Sequence, residues 1–183
     1  MRFVTLLLPL LFSATLAAPV AAQATTVILA RHAEKSAPTG DPGLTAVGEQ
    51  RARDLASALA HVRLAAVITT QFQRTRLTGA PVAAAASIEP TIVPATRDGA
   101  ADAAAVVRAL DALPAGATAL VVGHSNTLGS IITALGGPKL PDLCDGEHST
   151  LFVVERPGEG KPVSLVRARY GAAEPPEASR CQP

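Results

Sequence analysis

An apolar run that stops abruptly at charged residues does most to limit how this chain can fold. Residues 26–30 read Thr-Val-Ile-Leu-Ala and are followed directly by Arg31 and His32. A short run of this kind with β-branched members is typical of a buried parallel strand, and open α/β sheets bind ligands beyond the carboxyl ends of such strands. Arg31 and His32 therefore occupy a favourable place for chemistry. An isolated pair would be explained more simply as a salt-bridged strand end, so the interpretation depends on the later segments.

The rest of the chain alternates strand-like and helix-like segments. Its pattern predicts strands at residues 26–30, 64–70, 88–93, 118–122, 150–155 and 163–170, and helices at 45–62, 71–86, 98–113 and 127–135. This alternation predicts a single three-layer α/β domain with a mostly parallel sheet, helices on both faces and at least one antiparallel strand near the C-terminus.

Polar clusters follow three of these strands and should meet at one edge of the sheet. Arg31 and His32 follow the first strand, Arg74 follows the second, and His124 follows the fourth. Guanidinium groups match phosphoryl oxygens, and helix N-termini add N–H donors, so a phosphate monoester is the expected ligand. One histidine could attack phosphorus while the other stabilises the developing charge. No metal is required, because the arginines neutralise the phosphoryl group.

These residues also resemble a known family. Residues 31–34 are similar to the RHG/RHxE signature of the histidine phosphatase superfamily, which includes the cofactor-dependent phosphoglycerate mutases. The LTxxGxxRA pattern at 44–52, the RTxxT pattern at 74–78 and the VGHSN pattern at 122–126 are similar to its other motifs and occur in the same order. The resemblance covers residues 27–170, and Ala33 in place of the usual glycine is typical of the small RHxE-type branch.

The resemblance implies roles for individual residues. His32 would be the phosphorylated nucleophile, and Arg31, Arg74 and His124 would hold the phosphoryl group, with Asn126 as a further phosphate contact. The implied site needs no cofactor and takes a small phosphorylated substrate.

The proton donor for the leaving group is less clearly marked. Asp98 is the best candidate, but it could equally be the N-cap of the helix that follows it. Glu147 is the alternative if the strand after it runs antiparallel and so begins at the same edge of the sheet.

Three other titratable residues are expected to have supporting roles. Glu34 is expected to orient Arg31 or His32. His61 and His148 are expected at the surface or at strand ends.

The two termini carry signals of their own. The N-terminus predicts a signal peptide (1–24) that is cleaved after Ala24. It contains Arg2, an apolar run at 3–11 and small residues ending at Ala24. Cleavage would make the protein periplasmic or secreted, without a stable membrane anchor. The phosphatase domain should cover residues 25–171, followed by a loose tail at 172–183. In an oxidising compartment, Cys144 and Cys181 invite one disulfide, whereas their spacing is unlike that of a zinc site.

Composition narrows the choice of function. A chain of 183 residues suits one domain, which is expected to be a monomer or weak dimer. The nearly balanced charge, 16 basic against 15 acidic residues, and the absence of Trp from the sequence argue against nucleic-acid binding. An exported chain has little access to the bisphosphate cofactor of a mutase, so hydrolysis through phosphohistidine is expected. A catalytically weak phosphate-binding relative and a phosphohistidine-directed phosphatase are the alternatives, and export disfavours the second.

Overall fold

The computed structural model describes residues 24–157, 161–176 and 181. Nearly all of the predicted signal peptide, residues 1–23, lies outside this range. The strands are β1 (Thr25–Arg31), β2 (Ala66–Thr69), β3 (Thr91–Ile92), β4 (Thr118–Gly123), β5 (Thr150–Arg156) and β6 (Ser164–Arg169). The helices are α1 (Ala46–Ala58), α2 (Gln73–Ala86), α3 (Gly99–Asp111) and α4 (Leu128–Ala134).

One sheet of six strands runs through the domain in the order β3-β2-β4-β1-β5-β6. Strands β3, β2, β4 and β1 are parallel, and β5 and β6 continue the sheet in antiparallel pairing beside β1. The predicted fold class is therefore confirmed. Because β5 runs against β1, its first residues lie beside the carboxyl end of β1.

Each face of the sheet is covered by a helix pair, which gives the three predicted layers. Helices α3 and α4 pack on the face that carries Leu29 and Val121, while α1 and α2 pack on the face that carries Ile28 and Leu120. Adjacent residues of β1 and β4 thus enter opposite cores, as expected for a strand that is buried on both faces. No helix in the described part of the chain is long and apolar enough to cross a membrane.

The third strand is much shorter than the sequence predicts. It contains only Thr91 and Ile92, instead of residues 88–93. Pro90 and Pro94 flank it, and proline cannot donate the ladder hydrogen bonds that would extend it. This strand lies at the edge of the sheet, where Ile92 is exposed.

Candidate functional site

Three strand ends meet at the carboxyl edge of the parallel strands, as predicted. Arg31 at the end of β1 pairs with Gly123 at the end of β4, so His32 and His124 follow at the same level. Strand β2 is the other neighbour of β4, and Thr70 comes directly after it. The ring centroids of His32 and His124 lie 5.4 Å apart with the rings edge to face. We call Arg31, His32, Arg74 and His124 the basic cluster.

Backbone hydrogen bonding selects the tautomer of His32. Its Nδ1 atom lies 2.8 Å from the carbonyl oxygen of Ala33, and a carbonyl only accepts, so Nδ1 carries the proton. Burial lowers the pKa of His32 to about 3, and the positive charge of Arg31 adds to this effect. The ring is therefore neutral near pH 7, and its Nε2 lone pair is free to attack an electrophile.

His124 is also neutral and is tied to α2. Its Nε2 lies 3.2 Å from the hydroxyl oxygen of Thr70, which lies 2.8 Å from the hydroxyl oxygen of Thr75 in α2. Burial lowers the pKa of His124 to about 4, helped by the charges of Arg74 and Arg31. The two histidines thus enter the site as neutral rings held in fixed orientations.

The guanidinium group of Arg31 is fixed along one edge. Its Nη1 donates to the carbonyl oxygens of Cys144, Asp145 and Glu147 at 2.7, 2.9 and 3.2 Å. Its Nε is buried without a hydrogen-bond partner in the described structure, and its Nη2 lies 3.7 Å from the exposed carboxylate of Asp145. The edge formed by Nε and Nη2 therefore remains available to an anion such as a phosphoryl group.

Arg74 stands at the start of α2 on the rim of the site. Its guanidinium carbon lies 4.3 Å from the ring centroid of Phe72, whose ring in turn packs edge to face against His124. Nη1 of Arg74 lies 3.8 Å from the carboxylate of Asp41. These contacts hold the Arg74 side chain beside His124, where the sequence predicted it.

The LTxxGxxRA pattern anchors α1 to the segment that follows His32. Thr45 accepts a hydrogen bond from the N–H of Gly48 as the N-cap, and its own N–H donates to the carbonyl of Glu34. A Cβ at Gly48 would lie 2.4 Å from that same carbonyl oxygen, so only glycine fits there. Arg51 pairs with the Glu34 carboxylate at 2.8 Å. Among the described residues, the Glu34 carboxylate is thus hydrogen-bonded to Arg51 and not to Arg31 or His32, and a role of Glu34 in orienting them stays a prediction.

The RTxxT pattern anchors α2 to the same segment after His32. The hydroxyl of Thr78 accepts from the N–H of Ala33 at 2.9 Å and donates to the carbonyl of Arg74 at 2.7 Å. Gly79 packs on β2, where an added Cβ would lie 3.1 Å from the methyl group of Thr69. The motif thus connects the segment behind His32 to the helix that carries Arg74.

Both candidate acids have structural partners. Asp98 is the N-cap of α3 and accepts from the N–H groups of Ala100 and Ala101, which is the alternative role that the sequence left open. The strand after Glu147, β5, is antiparallel to β1 and therefore begins at the edge of the sheet where the basic cluster lies. Its buried carboxylate, however, accepts from the N–H of Cys144 and pairs with Arg167 at 2.7 Å.

Sequence reasoning missed one histidine beside His32. His148 is buried, not a surface residue, and its ring centroid lies 6.0 Å from that of His32. Its Nδ1 lies 2.9 Å from the carbonyl oxygen of His32. The only available signal was its position two residues before an antiparallel strand. His61 is exposed, as expected.

The first residues of the tail are bound to the domain, so the expectation of a loose tail is wrong for them. The carboxylate of Glu174 accepts from the N–H groups of His148 and Ser149 and contacts the Ser149 hydroxyl at 2.6 Å. Ala172 accepts from Arg51 through its carbonyl. Farther along, Cys181 forms a disulfide with Cys144. The tail thus contacts the loop that holds Arg31.

Asn126 follows His124 in the turn before α4 and is exposed. Its role as a phosphate contact stays a prediction. The described residues include no group of three or more His, Cys, Asp or Glu side chains that could hold a metal ion.

Comparison with known families agrees with the motifs. The model of the histidine phosphatase superfamily (branch 1) matches residues 27–102, a range that includes both arginines of the basic cluster and His32. No curated protein matches the chain in sequence.

Several solved structures have the same fold as this chain. A mycobacterial glucosyl-3-phosphoglycerate phosphatase shares 13% identity with a TM-score of 0.62, covering 78% of this chain and 97% of its own. YhfR of Bacillus stearothermophilus shares 20% identity with a TM-score of 0.60, covering 78% and 95%. SixA from Nakamurella multipartitia shares 22% identity with a TM-score of 0.56, covering 83% and 99%. The family model confirms the resemblance seen in the motifs, and the solved structures share the fold of this chain.

Proposed function

We propose that this chain, which has the fold and the family match of the histidine phosphatases, hydrolyses phosphate monoesters through a phosphohistidine on His32. The observation that carries the proposal is the tautomer of His32. The hydrogen bond from Nδ1 to the Ala33 carbonyl leaves the Nε2 lone pair free in a neutral ring. A neutral imidazole lone pair is what attack on phosphorus requires.

The basic cluster supplies positive charge and hydrogen-bond donors for the phosphoryl group under attack. The Nε and Nη2 edge of Arg31 offers two parallel donors. His124 packs against His32, and Arg74 lies over the Phe72 ring that packs against His124. Donors fixed before the reaction stabilise the charge that develops on the equatorial oxygens of the phosphoryl group. The cluster can therefore replace the cation that other phosphoryl-transfer sites use, and full activity in excess EDTA is the expected result.

The reaction proceeds in two displacements. The Nε2 atom of His32 forms a bond to phosphorus while the bond from phosphorus to the ester oxygen breaks, and the departing oxygen takes a proton. Water then attacks the phosphohistidine, which releases inorganic phosphate and restores His32. Because the carboxylates of Asp98 and Glu147 are engaged elsewhere, the departing oxygen takes its proton from solvent. Substrates with good leaving groups should therefore react fastest.

Trapping the intermediate tests the proposal. Rapid quenching with 32P-labelled p-nitrophenyl phosphate should yield an acid-labile, base-stable phosphoenzyme in the wild type and none in His32→Ala. His61→Ala is the matched control, since that histidine is exposed and should leave labelling unchanged. Full labelling of His32→Ala would move the nucleophile to His124, and unlabelled protein that still binds phosphate would favour a catalytically weak binding protein.

The location of the protein is part of the proposal. The charged and apolar N-terminus favours export, and the Cys144–Cys181 disulfide is compatible with an oxidising compartment. Export would separate the protein from cytoplasmic phosphorelay proteins and favour small phosphate esters as substrates. N-terminal sequencing of material recovered from the periplasm should begin at Thr25, and size-exclusion chromatography with light scattering should find a monomer or weak dimer.

A further inference from the structure

The peptide that joins His32 to Ala33 is held at both of its polar ends. The N–H of Ala33 donates to the hydroxyl of Thr78 at 2.9 Å, and the carbonyl of His32 lies 2.9 Å from Nδ1 of His148. A carbonyl oxygen only accepts, so Nδ1 of His148 carries a proton and donates. The plane of this peptide is therefore fixed by one side chain from α2 and one from the segment before β5.

This peptide sets the backbone angles between the His32 ring and its acceptor. The carbonyl of Ala33 is the acceptor that fixes Nδ1–H of His32, and hence the direction of the Nε2 lone pair. A change in the backbone angles at His32 and Ala33 would alter the distance and direction between the ring and that acceptor. The imidazole would then lose both its preferred tautomer and its orientation toward phosphorus.

His148 is itself held in place. It is buried, and its backbone N–H donates to Oε1 of Glu174 at 2.6 Å. Because Arg169 also pairs with Glu174 at 3.0 Å, the anchor for His148 consists of the tail and the last strand together. Glu174 and Arg169, which lie outside the motifs of the basic cluster, thus set the position of His148, the donor to the His32 carbonyl.

We propose that His148 is a positioning residue for the nucleophile, because its Nδ1–H holds the His32 carbonyl and so fixes the tautomer and direction of the His32 ring. The inference rests on the proposed function, in which His32 attacks phosphorus. In this inference His148 acts through His32 and not through the phosphoryl group or the leaving group. The expected effect is therefore on the rate of phosphoryl transfer and not on substrate binding.

Two substitutions separate the hydrogen bond from the presence of a ring. His148→Asn places an amide N–H close to the position of Nδ1, whereas His148→Phe keeps a planar ring without a donor. With p-nitrophenyl phosphate, His148→Phe should lower kcat and the burst rate of phosphoenzyme formation by about ten- to a hundred-fold with KM nearly unchanged. His148→Asn should recover most of that loss, and His61→Phe is the control for histidine replacement at an exposed position.

A second measurement does not depend on activity. In the 15N-histidine-labelled full chain, the two ring nitrogens of His32 should give the pattern of a pure Nδ1–H tautomer in the wild type and in His148→Asn. His148→Phe should give an averaged tautomer pattern. If His148→Phe does not fold, His148→Ala replaces it, since it leaves space instead of crowding.

Two results would overturn the inference. One is a pure tautomer and normal kcat in His148→Phe, and the other is an equal loss in His148→Phe and His148→Asn. Failure of the wild type to form a phosphoenzyme would reject the proposed function instead, and the tautomer measurement would still decide the role of His148.

Discussion

Glu34 pairs with Arg51 of α1, with the Nη2 atom of Arg51 2.8 Å from Oε1 and its Nε atom 2.9 Å from the same oxygen. Arg51 is nearly fully buried, and its Nη1 also donates to the carbonyl of Ala172. Glu34, two residues after His32, is thus joined both to the first helix and to the start of the tail. The pair fixes the segment behind the site.

Breaking this pair should destabilise the protein. Arg51→Met leaves the half-buried carboxylate of Glu34 without its partner and should lower the free energy of unfolding by about 3 kcal/mol in urea titrations. Arg53→Met on the same helix is the matched control, because Arg53 is exposed and its guanidinium group donates to the exposed Gln50. Equal losses in the two variants would show that the Glu34 pair contributes no more than a surface contact.

The buried histidines should make stability depend on pH. Burial lowers the pKa of His32 to about 3 and that of His124 to about 4, compared with 6.5 for an unperturbed histidine. Between those values the unfolded chain binds more protons than the folded one, so stability falls as pH falls below 6.5. Each histidine should contribute about 1.4 kcal/mol per pH unit in that window. Urea unfolding at several pH values should show a shallower dependence in His32→Phe than in the wild type.

The rim arginine should matter for activity and not for folding. Arg74→Ala should lower kcat/KM for p-nitrophenyl phosphate about a hundred- to a thousand-fold, since loss of one fixed donor costs roughly 3 kcal/mol in the transition state. Arg74→Lys should recover little, because an ammonium group cannot form the fork. Arg76→Ala, an exposed arginine on the same helix, should leave kcat/KM near wild type. Normal activity of Arg74→Ala would place this arginine outside the site.

The disulfide should support both stability and the position of Arg31. It closes a loop of 37 residues, so replacing both Cys144 and Cys181 by serine should cost about 3 to 4 kcal/mol of unfolding free energy. The carbonyl of Cys144 is also an acceptor for Nη1 of Arg31, and its displacement should raise KM for a phosphate ester. Dithiothreitol should reproduce both effects in the wild type and have no effect on the double variant. An unchanged melting temperature after complete reduction would contradict the prediction.

The two candidate acids can be tested by their dependence on the leaving group. A general acid matters for alkyl phosphates and little for p-nitrophenyl phosphate, whose phenolate departs unaided. Asp98→Asn keeps the capping oxygen and should leave both rates nearly unchanged, whereas Asp98→Ala should cost about 1 kcal/mol of stability. Glu147→Gln should lower stability, because it weakens the pairing of the buried Glu147 carboxylate with Arg167. A loss confined to alkyl phosphates in either carboxamide variant would restore that residue as the acid.

Much of the site could be predicted from where apolar strands stop. Arg31, His32 and His124 come directly after the apolar runs of β1 and β4, and parallel strands bring their carboxyl ends to one edge whatever the details of packing. The LTxxGxxRA and RTxxT motifs could be recognised in the sequence, but the contacts that they make could not be predicted from it. Thr45, Gly48 and Arg51 all converge on Glu34, a relationship that depends on how α1 packs across the sheet.

The sequence alone determined the α/β alternation, the two buried helix-covered faces and the identity of the basic cluster, because these depend on local periodicity and on the common direction of parallel strands. The tertiary structure decided which edge of Arg31 is free, which acceptor fixes His32 and which partner holds each carboxylate. It also brought His148 to His32, and Glu174 to His148, from beyond the motifs. These choices depend on the antiparallel pairing of β5 with β1 and on the path of the tail, and no local sequence pattern encodes contacts between segments more than a hundred residues apart.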